Sequence, residues 1–210
     1  MPHISPNHRM MLIMRNTVQS ARSAAKAETH ARIVSVAARA IRRSGYTGIG
    51  VADLMNEAGL THGAFYTHFA SREAMLAEAA QQACAESASL AARAAAAVPQ
   101  DKSLRSMLEA YLSEQHLHGV ALGCPLAALG SETPRQSPEV RRVTTGYVKE
   151  TIDLLARQLP DWGQPGAHDR AVVAMATMVG ALTLARAVDE PVLAKRLLDT
   201  ALHHLTAATR

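Results

Sequence analysis

From Thr61 to Ala70 the chain reads THGAFYTHFA, a run of hydroxyls, imidazoles and aromatic rings with one small glycine among them. Groups of this kind recognise rather than cut. A tyrosine hydroxyl donates to a phosphate oxygen or its ring lies against a thymine methyl, a histidine or threonine meets a base edge, and a glycine lets the backbone come close. At helical spacing His62, Gly63, Tyr66 and Thr67 share an exposed side, whereas Phe65 and Phe69 fall on the inward side and fill a core. Thr61 and His68, on either side of these four, are counted with them as DNA-binding candidates. The chemistry these residues can do is the reading of a double helix, by the N-terminal residues of a short helix lying in the major groove.

Other chemistry finds little support. There are ten histidines, but a di-metal bundle needs Glu-x-x-His on two helices and no such pair occurs. Glu114, His116 and His118 alternate, so on a helix they point in different directions; His203 and His204 are adjacent and read as surface. No glycine-rich phosphate loop, nucleophile elbow or suitable Cys–His pair is present. No catalytic residue, metal or cofactor is therefore expected, and an all-helical enzyme is the distant alternative. Two cysteines, Cys84 and Cys124, are too few and too far apart for a disulfide framework or a zinc knuckle, which fits a reducing cytoplasm.

The reading run needs elements that aim it. A helix over 51–58 buries Val51, Leu54, Met55 and Ala58 at steps of three and four while Asp53, Asn56 and Glu57 face water. Gly59 ends it in the left-handed state, Leu60 plugs the angle between the helices, and Thr61 supplies an N-cap oxygen for the reading helix. Glu28–Ser44 forms a first helix with Ile33, Val34, Ala37, Ala38 and Ile41 on one side, ending at Gly45 and buttressing the pair. Ser71 caps a long helix of about 27 residues that stops before Pro99 and joins head to body.

The order Gly59, Leu60, Thr61, His62, Gly63, Ala64, Phe65, Tyr66, Thr67, His68, Phe69, then Ser71, Arg72, Glu73, closely resembles the TetR family of transcriptional regulators. The likeness runs from about Thr29 to Leu76. It departs at Gly50, where the family usually places Ser or Thr, and at Met55, where a small Ala is usual; Gly remains an acceptable cap, and the flexible thioether can fold into a tight helix crossing. By resemblance Arg72 stands where the family clamps a phosphate with Lys, and Thr29 and Thr47 add phosphate contacts. The fold implied is all-α: a three-helix head with a helix-turn-helix over 28–72, and a larger helical ligand-binding and dimerisation domain over 73–210. The function implied is a repressor that binds a palindromic double-stranded DNA operator as a homodimer and is released by a small-molecule effector. A constitutive or activating DNA-binding regulator is the alternative.

Charge distribution agrees. Residues 1–72 hold nine Lys/Arg against three Asp/Glu, and the remainder thirteen against fifteen, a basic front on a mildly acidic back. Residues 1–27 carry Arg9, Arg15, Arg22 and Lys26 without an acid and read as a flexible basic arm, a disordered tail or a minor-groove reader. The apolar run Met10–Met14 is too short for a signal or a membrane span, and no other segment is expected to span.

The rest of the chain reads as helices. Asp101 caps one to about His118, GCPLAALG forms one or two turns, Glu139–Leu159 follows Pro138, and two last helices occupy about 167–188 and 190–207. The stretch AVVAMATMVGALTLARAV is apolar on nearly every face and must be covered on more than one side. The resemblance implies a four-helix dimer interface from these last two helices, with Met178, Leu182, Leu184, Leu197, Leu198 and Leu205 as candidates. It also implies a pocket among the middle helices, drawn from Met107, Leu108, Tyr111, Leu112, Cys124, Leu126, Leu129, Tyr147 and Ile152, all of them core-type residues first. Few aromatics and no evident buried charge point to an apolar effector. Cys124 lies between Gly123 and Pro125 at a helix start, where backbone N–H groups stabilise a thiolate; it is either a sensor or a small apolar thiol packed beside Leu126 and Leu129.

Overall fold

A computed structural model describes residues 6–207, with side chains from residue 19, and among the described residues it contains helices and no strand. α1, Pro6–Ser44, ends where Gly45 turns left-handed at φ +79°. The expected arm is corrected in part: residues 6–27 continue α1, because nothing between Asn7 and Ser44 is a glycine or proline that would stop a helix, and residues 1–5 lie outside the described residues. α2, Val51–Glu57, buries Leu54 and Met55. At its end the N–H of Gly59 donates to the Asn56 carbonyl and that of Leu60 to the Met55 carbonyl, a Schellman closure for which Gly59 takes φ +70°.

The reading helix, His62–Thr67, is a tight 3-10 helix, with the Ala64 N–H donating to Thr61 O and the His68 N–H to Phe65 O. Thr61 sits at the cap position but its hydroxyl makes no capping bond, contrary to expectation; Gly63 and the Thr67 hydroxyl, which returns to the Ala64 carbonyl at 2.7 Å, favour the tighter winding. α3, Arg72–Ala96, starts as expected, with Ser71 Oγ accepting from the Ala74 N–H.

In the body, α4 is Gln100–Tyr111 and α5 is Glu114–His118. The single helix expected to reach His118 breaks at Leu112. Ser113 is the cause: its hydroxyl donates to Ala110 O and accepts from the His116 N–H, starting a new helix. Asp101 lies inside the first turn of α4 rather than capping it, since Pro99 holds the cap position. α6, Pro125–Leu129, is followed by α7, Pro138–Ala156, which Ser137 caps. α8, Ala167–Ala187, and α9, Pro191–Ala207, complete the chain.

Two cores form. One gathers Ile33, Ile41, Tyr46, Leu54, Met55, Phe65, Phe69, Met75 and Leu76, and it draws in Leu129 and Val140 from the body. The other joins α4, α7, α8 and α9 around Leu108, Leu155, Met178, Leu182 and Leu198. α3 belongs to both ends, and the fully buried Arg42 binds them: its guanidinium donates to Ala83 O at 3.3 Å, to Gly123 O at 3.5 Å and to Glu86 at 2.5 Å. By length and composition alone α8 is long and apolar enough to cross a membrane, a test that the core helix of a folded domain also passes; here one of its faces packs into the body core through Ala171, Met175, Met178 and Leu182.

Candidate nucleic-acid interface and body cavity

The head presents His62, Gly63, Tyr66 and Thr67 to solvent on one surface. Tyr66 is 68 % exposed, with its ring edge-on to the His62 ring at 5.9 Å. Phe65 and Phe69 stack at 5.4 Å and are buried, as their inward spacing required. Gly63 has open space where a Cβ would stand, so nothing in the chain itself demands glycine there.

Other expected contacts are engaged internally. Arg72 is half-buried, and its guanidinium donates to the Tyr46 carbonyl at 2.5 Å and the Ile49 carbonyl at 3.4 Å. It ties the turn before α2 to the start of α3, so the position expected to clamp phosphate also braces the head. His68 turns inward toward His30 and Phe69, at 5.9 and 6.4 Å between ring centroids, and leaves the reading surface. Burial, then His30 and Lys26, holds its imidazole below the ordinary range. The Thr29 hydroxyl donates to Ala25 O within α1. Thr47, in the turn after α1, and Thr61, at the cap position of the reading helix, are exposed.

The body contains a cavity of about 460 Å³. Of the pocket residues expected from sequence, Met107, Tyr111, Cys124 and Tyr147 line it. Leu108 and Leu112 face the body core instead, Leu126 and Ile152 pack against that core, and Leu129 sits in the core of the head. Sequence reasoning missed Ser87, His116, Met175, Met178 and Val179. A hydroxyl on an Ala-rich helix and an imidazole three residues past a serine cap give no signal until the chain folds, although the Ser113 cap does mark the start of the short helix that carries His116.

His116 is fixed in one tautomer by its neighbours. A carbonyl can only accept, so Nδ1 donates to Tyr111 O at 2.7 Å; an amide N–H can only donate, so Nε2 accepts from Cys124 N at 2.9 Å. Burial, opposed by the Tyr111 bond and aided by the Arg186 charge, keeps the imidazole below its usual range and neutral. Arg186 in turn donates to His116 O at 2.7 Å and Leu117 O at 3.2 Å.

Cys124 is buried at the start of α6, but its thiol makes no capping bond, and its N–H is already given to His116. The helix-start argument for a sensor thiolate therefore loses its geometry. The thiol packs beside Tyr147, Cys84 and Leu126, and burial pushes the Cys84 thiol up to about 12.

The expected dimer residues divide. Met178 and Leu182 are buried within the subunit, and Met178 lines the cavity; Leu198 and Leu205 are buried as well, and Leu197 packs against the same core. Leu184 alone among the six is largely exposed, at 56 %. The uncovered apolar face of α8 runs through Val173, Ala176, Gly180 and Leu184, at steps of three and four, with open space above Gly180. A helix apolar all round offers no moment by which to choose its inner side.

Residues 33–79 match the family model described as bacterial regulatory proteins, tetR family, and residues 99–192 that of the transcriptional regulator LmrA/YxaF-like C-terminal domain. An HTH-type transcriptional regulator of Mycobacterium tuberculosis is 28% identical over 164 residues, covering 74% of this chain and 82% of that protein. Among solved structures, a TetR transcriptional regulator from Chloroflexus aurantiacus is similar at a TM-score of 0.74 and 26% identity, covering 88% of this chain and 95% of that one. The reduced form of NemR from Escherichia coli shares the fold at a TM-score of 0.73 and 20% identity, covering 85% and 95%.

Proposed function

Because the chain belongs to the TetR family of DNA-binding transcriptional regulators, we propose that it is a repressor that holds a palindromic operator as a dimer and lets go when a small molecule fills the body cavity. One observation carries this reading. α3 begins in the core of the head, through Met75, Leu76 and Ala79, and its other half forms cavity wall, through Ser87, Ala88, Leu90 and Ala91. A ligand that moves that wall moves the element on which the reading helix is mounted, and two heads must keep one spacing to fit two half-sites.

Tyr66, His62, Gly63 and Thr67 are the DNA-facing residues in this reading, with Thr47 and Thr61 at its edge. The second subunit covers Val173, Ala176, Gly180 and Leu184 of α8, where Gly180 lets two helices approach closely. Binding of the full chain to DNA upstream of its own gene, followed by fluorescence anisotropy across salt, tests the proposal. Affinity falls steeply with salt; Tyr66→Ala weakens binding about tenfold, and each lost phosphate contact lowers the salt slope by about one unit. Binding indifferent to salt and to Tyr66→Ala sinks it. An Arg72→Ala chain with an unchanged salt slope leaves Arg72 as a brace only.

A further inference from the structure

One end of the cavity is built from groups that each carry a hydrogen. Ser87 Oγ and the Tyr147 hydroxyl share a hydrogen bond of 2.8 Å, and the Tyr147 hydroxyl lies 3.7 Å from Cys124 Sγ. The Tyr111 hydroxyl faces the Cys124 thiol, yet it is buried and has no hydrogen-bond partner. All four side chains line the cavity. A chain of three such groups joined by two contacts uses two of its three hydrogens, and Tyr111 adds another, so hydrogens are in surplus at this end. The acceptors that might absorb them are occupied. The Tyr111 carbonyl takes His116 Nδ1, the Tyr147 carbonyl takes the Thr151 hydroxyl at 2.8 Å, and His116 Nε2 takes the Cys124 N–H. Glu150, the carboxylate among the lining residues, is exposed.

The remaining wall is apolar, with Leu90, Met107, Leu154, Met175 and Met178 prominent. The volume of about 460 Å³ falls within the range of roughly 300–1,000 Å³ common for small-molecule sites. Arg186, the cation whose charge reaches Tyr111, does not line the cavity and gives its guanidinium to the His116 and Leu117 carbonyls, and His116 is held neutral, so a charged ligand gains no direct ion pair at Tyr111.

We propose that the cavity takes a neutral, mainly apolar molecule carrying a carbonyl oxygen at one end, and that this oxygen accepts a hydrogen bond from the Tyr111 hydroxyl beside Cys124 and Tyr147. A carbonyl fits better than an ether because its two in-plane lone pairs can take Tyr111 and the spare hydrogen of the Ser87–Tyr147–Cys124 chain together. This assignment names the ligand chemistry of the site and rests on the reading of the cavity as the effector site.

The test uses two probes of one shape, 2-acetylnaphthalene and 2-ethylnaphthalene, titrated by calorimetry into the full chain and into Tyr111→Phe. The ketone binds the unaltered chain about tenfold more tightly than the hydrocarbon, as one buried hydrogen bond provides. In Tyr111→Phe the two bind within about twofold of each other, while the hydrocarbon keeps its affinity. Equal binding of both probes to the unaltered chain, binding of neither, or a ketone preference that survives Tyr111→Phe overturns the proposal. The comparison in the unaltered chain holds whether or not the variant folds. Operator DNA is titrated separately: a ketone that binds with the expected preference and leaves operator affinity unchanged supports the carbonyl site and sinks the effector reading instead.

Discussion

The reading surface of the head and the closed end of the body cavity both display tyrosine hydroxyls, under opposite conditions. The Tyr66 hydroxyl stands in solvent, where water satisfies it at no cost, while Tyr111 holds its own inside the body without a partner. An unmet buried hydroxyl costs roughly 1–3 kcal/mol. Recognition on the head is thus a matter of what is exposed, and recognition in the body a matter of what is buried and unmatched. The contrast extends to their surroundings. Beneath the reading surface, Arg72 and Glu132 satisfy main-chain groups of the turn after α1, whereas the cavity end keeps a surplus of donors.

The largest test of this division lies on α8, whose two faces serve the two regimes. Leu182→Asp buries a charge in the subunit core and should cost on the order of 4–5 kcal/mol or more, seen as loss of helicity and cooperative unfolding. Val173→Asp should keep the fold within about 0.5 kcal/mol and yield a monomer by sedimentation. A dimeric Val173→Asp, or a stable Leu182→Asp, would mean the faces are assigned the wrong way round.

Next in size is Arg42→Ala, which cuts the tie between the regions. It takes a donor from the Gly123 and Ala83 carbonyls and removes the counter-charge of Glu86, which keeps only the Gln82 amide. A loss of about 3 kcal/mol in urea unfolding is expected, the low end for a broken buried pair because Glu86 is partly exposed. A loss below about 1 kcal/mol would show that Arg42 is not a main tie between head and body.

The same substitution at the two tyrosines sharpens the comparison directly. Tyr111→Phe removes an unmatched hydroxyl and should raise stability by about 1 kcal/mol; Tyr66→Phe should leave it unchanged. A Tyr111→Phe chain less stable than the parent would place a hidden partner at that hydroxyl.

The smallest effect concerns pH. The folded pKa of His116 is depressed, so the stability it contributes is fully present above its unfolded value of about 6.5 and is lost as pH falls through the folded value. Melting temperature should therefore fall from pH 8 to pH 5, and fall less in His116→Gln. His68, also depressed by burial, contributes with the same sign and remains in both chains, so the difference between them isolates His116. Parallel pH curves would exclude it.

Much of the head was legible in the sequence because its signals are local. Gly59 ends α2, Ser71 caps α3, and the spacing of Phe65, Tyr66 and Phe69 sorts inward from outward rings. The body was legible only as helices. That Met178 and Leu182 face inward while Val173 and Leu184 face outward cannot follow from an apolar run with no polar face to orient it. Only a few of the cavity residues were found for a similar reason: Tyr111 and Tyr147 are large and polar-tipped, so they stand out, whereas Ser87 acquires meaning from a partner on another helix and His116 from the way the chain turns back between Tyr111 and Cys124. The arm was misjudged because absence of acid and abundance of Arg describe a surface, and a continuous helix can carry that surface too.

Glu132 gives the molecule a consequence for engineering. This body residue accepts the Tyr46 N–H at 2.9 Å and presses so close to Gly45 that a Cβ there would stand 2.5 Å from its Oε1. Leu129 and Val140 complete the same core. A chimeric regulator made by transplanting residues 1–80 onto a foreign body would lose the acceptor for the Tyr46 N–H just past α1 and the two body side chains, Leu129 and Val140, that seal the head. The transferable cassette instead has to bring along the segment from Leu129 to Val140, or a recipient that already offers a carboxylate and two aliphatic residues at those places.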